Sequence, residues 1–343
     1  MSDTRDERAR ATIADVARLA AVSIGTASKA VNGKGRLRSE TRDRVLAAAR
    51  ELDYQPDALA RSMRAQRTYT VGLITSDSFG RFSIPVLLGL EDTLGADRIS
   101  VFLCDARGDP VRERYYVDSL LSRRVDGIVV AGRRTDPRQP IIRHEPPVPV
   151  VYAMTQSSAA GDLSLVPDDA QGGRLAAAHL LERGRRRIAH ITGPTRFEAV
   201  RRRAEGLRST LAAAGLELAA DELLAGRWSE AWGREAVETL LRRRPGVDAI
   251  FCGSDQIARG VAEGLRDHGV RIPDDVALVG FDNWDVMALA ARPPLTSVDM
   301  RLDQLGRAAG QELLAMLDGH RRTGVLRLPC ELVVRESTVT DAR

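Results

Sequence analysis

The chain of 343 residues is 43% hydrophobic and 29% charged, a balance typical of globular proteins that bury a core. No apolar run reaches the ~18 residues of a membrane helix, and the polar N-terminus lacks the apolar segment of a secretory signal. Cys104, Cys252 and Cys330 are too scattered for a disulfide framework or a zinc site. We therefore expect a cytoplasmic protein of two or three folding units, with no membrane segment, metal or cofactor.

Positive charge is concentrated at the N-terminus. The net charge is +4, and the excess of basic residues lies within residues 1–67, since the remainder is close to neutral. A basic module attached to a neutral body indicates a polyanionic partner for that module. A solvated charged surface is the alternative, and charge alone does not decide between the two.

Short helices are predicted along this basic module. They cover residues 12–20, 24–31, 39–52 and about 57–64. Thr12 and Asp15 have the spacing of a capping box at the start of the first helix, and Ser23 can cap the second. The pattern predicts two helices joined by a tight break, followed by a third helix that closes the unit.

The rest of the chain alternates between strand-like and helix-like segments. Strands are predicted at residues 70–74, 99–104, 127–131, 148–153, 188–192, 249–253 and 276–281. Helices are predicted at residues 85–94, 112–123, 173–183, 203–214, 235–243 and 257–268. Such alternation indicates parallel sheets covered by helices on both faces. Because the pattern restarts near Arg187, we expect two lobes with a ligand cleft at the carboxyl ends of their strands.

Several motifs in the basic module resemble the lactose/galactose repressor (LacI/GalR) family. They are "DVARLAAVS", "TRDRV", "ELDYQP" and "ALARSMR", in that order over more than fifty residues. The body continues the resemblance through "DDAQGG", "HLLERGRRRIAHITGP", "SDQIARGVAEGL", "IPDDVALVGFDN" and "PPLTSVD". The resemblance therefore covers nearly the whole chain.

This resemblance implies an α/β fold class with an N-terminal all-α helix-turn-helix headpiece and a hinge. The body would consist of two lobes of parallel, doubly wound sheets, like those of periplasmic sugar-binding proteins. The headpiece is expected over residues 1–67, with a hinge helix at about 57–64, and the body over residues 68–343. The first lobe is expected at about 69–166 plus 297–325, and the second at about 167–296 plus 326–343.

The resemblance also implies which residues contact DNA, with the second helix in the major groove. Ile24, Gly25 and Lys29 take the base-reading positions, where Ile24 suits a thymine methyl and Lys29 suits guanine. The positions that match phosphate contacts are Ser23, Thr26, Ser28, Asn32 and Arg38. Met63 stands where the family usually has a leucine that wedges into the minor groove. The alternatives are core packing for Ile24 and burial in the linker for Met63.

Effector-binding positions follow from the same resemblance. Arg203 and Asp282 are the expected charged anchors, Trp228 supplies an aromatic face, and Phe82 closes over the ligand from the first lobe. Ser254 stands where relatives often have asparagine. Asp168 fits a ligand contact or a helix cap equally well. Trp232 is expected to be a packing residue.

The expected function is a DNA-binding transcriptional regulator, a repressor, controlled by a small molecule that we expect to be a carbohydrate. A purine or another metabolite is the alternative effector, and a sugar-binding transport protein is a remote alternative. An enzyme is disfavoured, since the chain has no nucleophile elbow, P-loop or metal-ligand spacing. A homodimer on a near-palindromic operator is expected, not a tetramer, because no heptad segment follows "CELVVREST".

Overall fold

The computed structural model describes residues 11–31, 35–54, 67–218 and 222–339. It divides the chain into two compact units, Met1–Thr68 and Tyr69–Arg343. Within the described residues, no helix is long and apolar enough to cross a membrane.

The N-terminal unit contains three helices in its described part. They are α1 (Ile13–Leu19), α2 (Ile24–Val31) and α3 (Ser39–Glu51). Thr12 and Asp15 cap the start of α1 reciprocally, so the predicted capping box is confirmed. Small apolar side chains let the helices approach closely, and the core they share consists of Val16, Ala17, Ala20, Ala27, Ala30, Val45 and Ala48.

The larger unit begins with a parallel sheet. Its strands, in spatial order, are β13 (Gly324–Leu328), β7 (Leu163–Pro167), β5 (Val150–Ala153), β3 (Gly127–Ala131), β1 (Thr70–Thr75) and β2 (Ser100–Asp105). The helices of this lobe are α4 (Ser83–Gly95), α5 (Pro110–Ser122) and α11 (Leu302–Leu317). A short ladder joins β4 (Pro137–Arg138) to β6 (Gln156–Ser157).

A second sheet follows the same plan. Its spatial order is β14 (Glu331–Val333), β12 (Thr296–Asp299), β11 (Ala277–Phe281), β10 (Ala249–Cys252), β8 (Ile188–Thr192) and β9 (Leu223–Ala225). Only β14 runs antiparallel to its neighbour among these described strands. The helices are α6 (Asp169–Glu182), α7 (Glu198–Ala213), α8 (Glu230–Arg243), α9 (Asp255–Asp267) and α10 (Asp285–Ala288). The α/β class and the two parallel-sheet lobes expected from the sequence are therefore confirmed.

The chain crosses between the lobes three times. It passes from β7 to α6, from β12 to α11, and from β13 to β14. The boundaries expected at 297 and 326 fall inside β12 and β13, because β12 pairs with β11 and β13 pairs with β7. We therefore propose crossings near residues 300 and 329. One buried apolar cluster includes residues of both lobes, such as Leu73 and Phe281, so the lobes share a core.

Candidate nucleic-acid interface and effector site

Helix α2 presents an exposed face to solvent. Ser23 begins it, since its Oγ accepts a hydrogen bond from the backbone N–H of Thr26 at 3.1 Å. Ala27 and Ala30 are buried in the core, whereas Ile24, Gly25 and Lys29 are exposed and form the outer face. Such a helix can enter a major groove without disturbing its own packing.

The three expected base-reading residues are all exposed on this face. Ile24 is 55% exposed, which argues against a core-packing role. A Cβ added at Gly25 would meet nothing closer than the Ser23 Oγ at 3.9 Å, so this surface allows close approach. Lys29 is exposed as well, and its ammonium group can donate to guanine O6 or N7.

The residues expected to contact phosphates differ in their exposure to solvent. Ser23 and Arg38 are exposed, whereas Thr26 and Ser28 are half-buried. Arg38 precedes α3 and makes no capping hydrogen bond with its side chain. Asn32, Met63 and the expected hinge helix at 57–64 lie outside the described residues.

The expected effector residues of the second lobe follow the carboxyl ends of its strands. Asp282 comes directly after β11, Trp228 follows β9 and Ser254 follows β10, whereas Asp168 follows β7 of the first lobe's sheet. Because parallel strands end at the same edge of a sheet, this edge is where open α/β folds bind ligands. Phe82 lies just before α4 in the first lobe.

Arg203 is held firmly in the interior of the second lobe. It is only 5% exposed. Its Nε donates to Asp169 Oδ1 at 2.8 Å, and its Nη1 donates to the carbonyl oxygen of Gly253 at 2.6 Å. The guanidinium carbon lies 3.5 Å from the centroid of the Phe281 ring. A paired, stacked guanidinium of this kind has a fixed orientation and retains further N–H donors.

Asp282 forms an ion pair with Arg81 of the first lobe. Its backbone φ of 107° is strained for a residue with a side chain, and its N–H donates to the Val298 carbonyl at 2.8 Å. Burial raises the pKa of Asp282, while the charges of Arg81 and Arg203 act in the opposite direction. The carboxylate is thus placed by its backbone and balanced by a cation from the other lobe.

A second buried carboxyl group lies beside Asp282. Asp255 accepts hydrogen bonds from the Ser297 hydroxyl at 2.5 Å and from the backbone N–H of Trp284 at 2.7 Å. Burial and the charge of Asp282 raise the pKa of Asp255 to about 8. The two buried carboxyls are therefore electrostatically coupled, and each opposes ionisation of the other.

Two tryptophans pack against glycines next to β8 and β9. A Cβ at Gly193 would lie 2.2 Å from Cε2 of Trp228, so the indole covers this glycine directly. Trp232 covers Gly226 in the same way, and its Nε1 donates to the Thr192 carbonyl at 3.0 Å. These contacts agree with the packing role expected for Trp232.

Ser254 and Asp168 both act as helix caps. The Ser254 hydroxyl accepts from the Ile257 N–H at 3.2 Å at the start of α9. Asp168 accepts from the Gln171 N–H at 2.9 Å at the start of α6. The structure therefore supplies a capping role for Asp168, one of its two expected roles.

The first lobe contributes an aromatic residue and a cation. The Phe82 N–H donates to Asp77 Oδ2 at 2.6 Å, which anchors the start of α4. The guanidinium carbon of Arg81 lies 4.9 Å from the Phe82 ring and 4.6 Å from the Trp284 ring. Sequence reasoning did not identify Arg81, which belongs to no recognisable motif, and it gave Trp284 no position in the site beyond a stacking or core role in the second lobe.

The described residues contain no cluster of His, Cys, Asp or Glu that could hold a metal ion. What the second lobe offers is a fixed guanidinium, a buried carboxylate and half-buried indole rings. Such groups bind hydroxyl pairs and flat apolar faces, and they do not form a nucleophile–base arrangement.

Comparison with known protein families agrees with this arrangement. Residues 12–57 match the model described as bacterial regulatory proteins, lacI family, and residues 177–338 match a periplasmic binding protein-like domain.

Individual relatives are similar over most of their length. The ribose operon repressor of Escherichia coli (strain K12) is 35% identical over 302 residues, which cover 87% of this chain and 91% of the relative. The repressor PurR of Aliivibrio fischeri (strain MJ11) is 30% identical over 96% of this chain and 98% of its own. A lac repressor dimer solved with operator and an anti-inducer has a TM-score of 0.74 at 26% identity, covering 96% of this chain and all of that one.

Proposed function

Because the chain belongs to the LacI family of bacterial regulatory proteins, it is a DNA-binding transcriptional regulator and not an enzyme, and we propose that a sugar bound at Arg203 and Asp282 controls its affinity for operator DNA. Regulators of this kind work in the cytoplasm, where the bacterial DNA lies. The observation that carries the proposal is that a fixed guanidinium, Arg203, lies close enough to the buried Asp282 for its charge to act on that carboxyl, at the edge where α/β lobes bind ligands.

DNA recognition is assigned to the exposed face of α2. Ile24, Gly25 and Lys29 would read base edges, and their exposure supports this assignment. The residues that would set affinity and register through phosphates are Ser23, Thr26, Ser28, Asn32 and Arg38. Met63 would wedge into the minor groove, an assignment that rests on its position in "ALARSMR".

Effector recognition is assigned to one guanidinium, one carboxylate and two aromatic side chains. Arg203 and Asp282 would hold adjacent hydroxyl groups, since both present polar atoms in a fixed orientation. Trp228 and Phe82 would cover the C–H faces of a sugar ring. Asp168 and Ser254 already cap helices, so we place them at the margin of the site, where they support the loops.

A sugar is favoured over a purine by the relatives as well. The relative with 35% identity is named for the ribose operon, whereas the repressor PurR is 30% identical. A purine base offers N–H donors to Asp282 but no adjacent hydroxyl groups, while a sugar offers hydroxyl pairs. Purine recognition is the alternative that an affinity measurement has to exclude.

A homodimer is part of the proposal. The lac repressor is solved as a dimer on its operator, and two-fold symmetry matches a near-palindromic site. The first lobe of this chain exposes Phe79, Ile84 and Leu88, which supply apolar surface for such an interface.

The proposal is tested with the full-length protein. An operator selected from random DNA is titrated in a mobility assay, and D-ribose, D-galactose, cellobiose, hypoxanthine and guanine are screened by thermal shift. We expect a sugar to raise the melting temperature, since a ligand at 100 times its Kd stabilises by about 2.7 kcal/mol. Asp282→Asn should abolish this shift and retain operator binding. Arg138→Gln, which removes a partly buried ion pair with Glu113 elsewhere in the first lobe, is the control.

Two outcomes would contradict the assignment. Binding of a purine but of no sugar would show that the effector is a purine. An unchanged sugar shift in Asp282→Asn would move the site away from this carboxylate.

A further inference from the structure

Arg81 lies against Asp282, the carboxylate proposed to anchor the effector. It precedes Phe82 at the start of α4, and its Nη2 contacts Asp282 Oδ2 in the other lobe. The two side chains are only 16% and 6% exposed. This is therefore a largely buried ion pair that links the lobes.

The surroundings of the Arg81 guanidinium have the composition of a ligand site. It lies near the rings of both Phe82 and Trp284, and its Nη2 contacts the Asp282 carboxylate. Aromatic faces with an acceptor at the rim also suit a sugar ring, whose C–H faces stack while its hydroxyls donate. The Nε atom of Arg81 is buried and has no hydrogen-bond partner.

We propose that Arg81 is an internal competitor of the effector: it binds Asp282 and joins the lobes when no effector is present, and the effector must displace it to reach Asp282. This inference rests on the proposed role of Asp282 as an effector anchor. Arg81 thereby becomes the residue that sets the effector concentration to which the protein responds.

Charge balance supports such an exchange. Arg81 forms its ion pair with Asp282 itself, while burial and the charge of Asp282 raise the pKa of the neighbouring Asp255, so Arg81 directly balances the Asp282 carboxylate. Hydroxyl groups of a neutral sugar can replace the guanidinium as donors to Asp282, while Arg203 remains nearby as the second cation. The buried Nε without an acceptor makes the Arg81-bound state less favourable than a fully satisfied pair.

The effect on affinity follows from competition. When only a fraction of the molecules have a free binding site, the apparent Kd equals the intrinsic Kd divided by that fraction. Removing the guanidinium raises the fraction, so Arg81→Gln should bind the effector at least about tenfold more tightly. An ordinary ligand contact would have the opposite sign, because its removal weakens binding.

The first experiment needs no ligand. In protein carrying Trp228→Phe and Trp232→Phe, Trp284 is the remaining tryptophan, and acrylamide quenching reports its accessibility. Arg81→Gln, Asp282→Asn and the double variant are compared with Arg138→Gln as the control. Asp282→Asn keeps the arginine beside Trp284 and removes only the ionic partner.

If the pair joins the lobes, quenching should rise about equally in both single variants and no further in the double variant, because the residues act as a unit. Quenching that stays at the wild-type level in Asp282→Asn would overturn the proposal.

The second experiment measures affinity for the sugar identified in the thermal-shift panel. Tighter binding by Arg81→Gln, with no change in Arg138→Gln, supports competition. Equal or weaker binding by Arg81→Gln overturns it. If neither wild type nor Arg81→Gln binds any sugar, the proposed effector class fails, and the quenching result alone decides whether Arg81 joins the lobes.

Discussion

Gly173 and Gly206 bring two helices of the second lobe into direct backbone contact. A Cβ at Gly173 would lie 2.2 Å from the carbonyl oxygen of Arg203, and a Cβ at Gly206 would lie 1.9 Å from that of Ala170. This approach of α6 to α7 brings Arg203 within reach of Asp169. The effector anchor is therefore positioned by packing as well as by charge.

Substitution of Gly206 should disturb both stability and ligand binding. Gly206→Ala places a methyl group where backbone lies, and overpacking of this kind costs about 1–3 kcal/mol. Gly95→Ala is the matched control, because a Cβ at Gly95 meets nothing within 4 Å. We expect calorimetry to show a lower melting temperature only for Gly206→Ala. Equal melting temperatures for the two variants would mean that α6 and α7 accommodate the added methyl group without a loss of stability.

Lys29 and Arg38 should differ in their effect on DNA binding. Lys29→Ala should relax the preference for one guanine in each half-site, at a cost of about 1–3 kcal/mol, because a donor to a base edge is lost. Arg38→Ala should weaken binding to all sequences alike, since phosphate contacts carry no sequence information. Affinity measured across single-base operator variants distinguishes them, and an unchanged preference profile in Lys29→Ala would refute its assignment.

Met63 should contribute to operator affinity but not to dimerisation or effector affinity. Isolated helices shorter than ~12–15 residues are marginal in water, so we predict that the hinge segment at 57–64 orders on the operator and inserts Met63. Met63→Ala should lower operator affinity without altering the dimer mass or effector affinity. Sedimentation and mobility assays test these statements, and tetramers or an unchanged operator affinity would contradict them.

His190 should make the protein less stable in acid. The side chain is fully buried against Phe251, with Nδ1 2.9 Å from the Phe251 carbonyl, and burial lowers its pKa to about 4. Because the unfolded chain binds this proton near pH 6.5, stability falls as the pH drops from 6.5 towards 4, by up to about 3 kcal/mol.

Urea unfolding of wild type and His190→Asn at several pH values measures this effect. The raised pKa of Asp255 acts oppositely, since it adds stability as the pH falls from about 8, but this contribution is common to both proteins. The wild type should lose more stability than the variant between pH 6.5 and 4.5. Parallel pH profiles would show that another group is responsible.

Much of the fold was predictable because it depends on local patterns. The capping box at Thr12 and the apolar runs of β1, β3, β8 and β10 can be read directly from neighbouring residues. Strand β12 could not be read in this way, because it buries Thr296 and Ser297 completely. Their hydroxyls donate to the Arg335 carbonyl and to Asp255, so tertiary hydrogen bonds replace the missing hydrophobic signal.

The candidate site was predictable only where a motif marked it. Arg203 and Asp282 were identified by family position, whereas Arg81 lies 201 residues from its partner and belongs to no motif. The partners Asp169 and Asp255 lie within the motifs "DDAQGG" and "SDQIARGVAEGL", but the motifs do not show which charged groups they pair with. Which charges pair across a cleft is decided by the arrangement of the lobes, and single-sequence patterns do not contain that information.

The late position of β13 has a consequence for synthesis on the ribosome. This edge strand of the first sheet pairs with β7, yet it spans Gly324–Leu328 in a chain of 343 residues. The headpiece can fold early, because its described core is contiguous in sequence. The first lobe instead keeps β7 as an open edge until nearly all of the second lobe has been translated. A product truncated before Gly324 would retain that unpaired edge, which favours aggregation over binding of DNA.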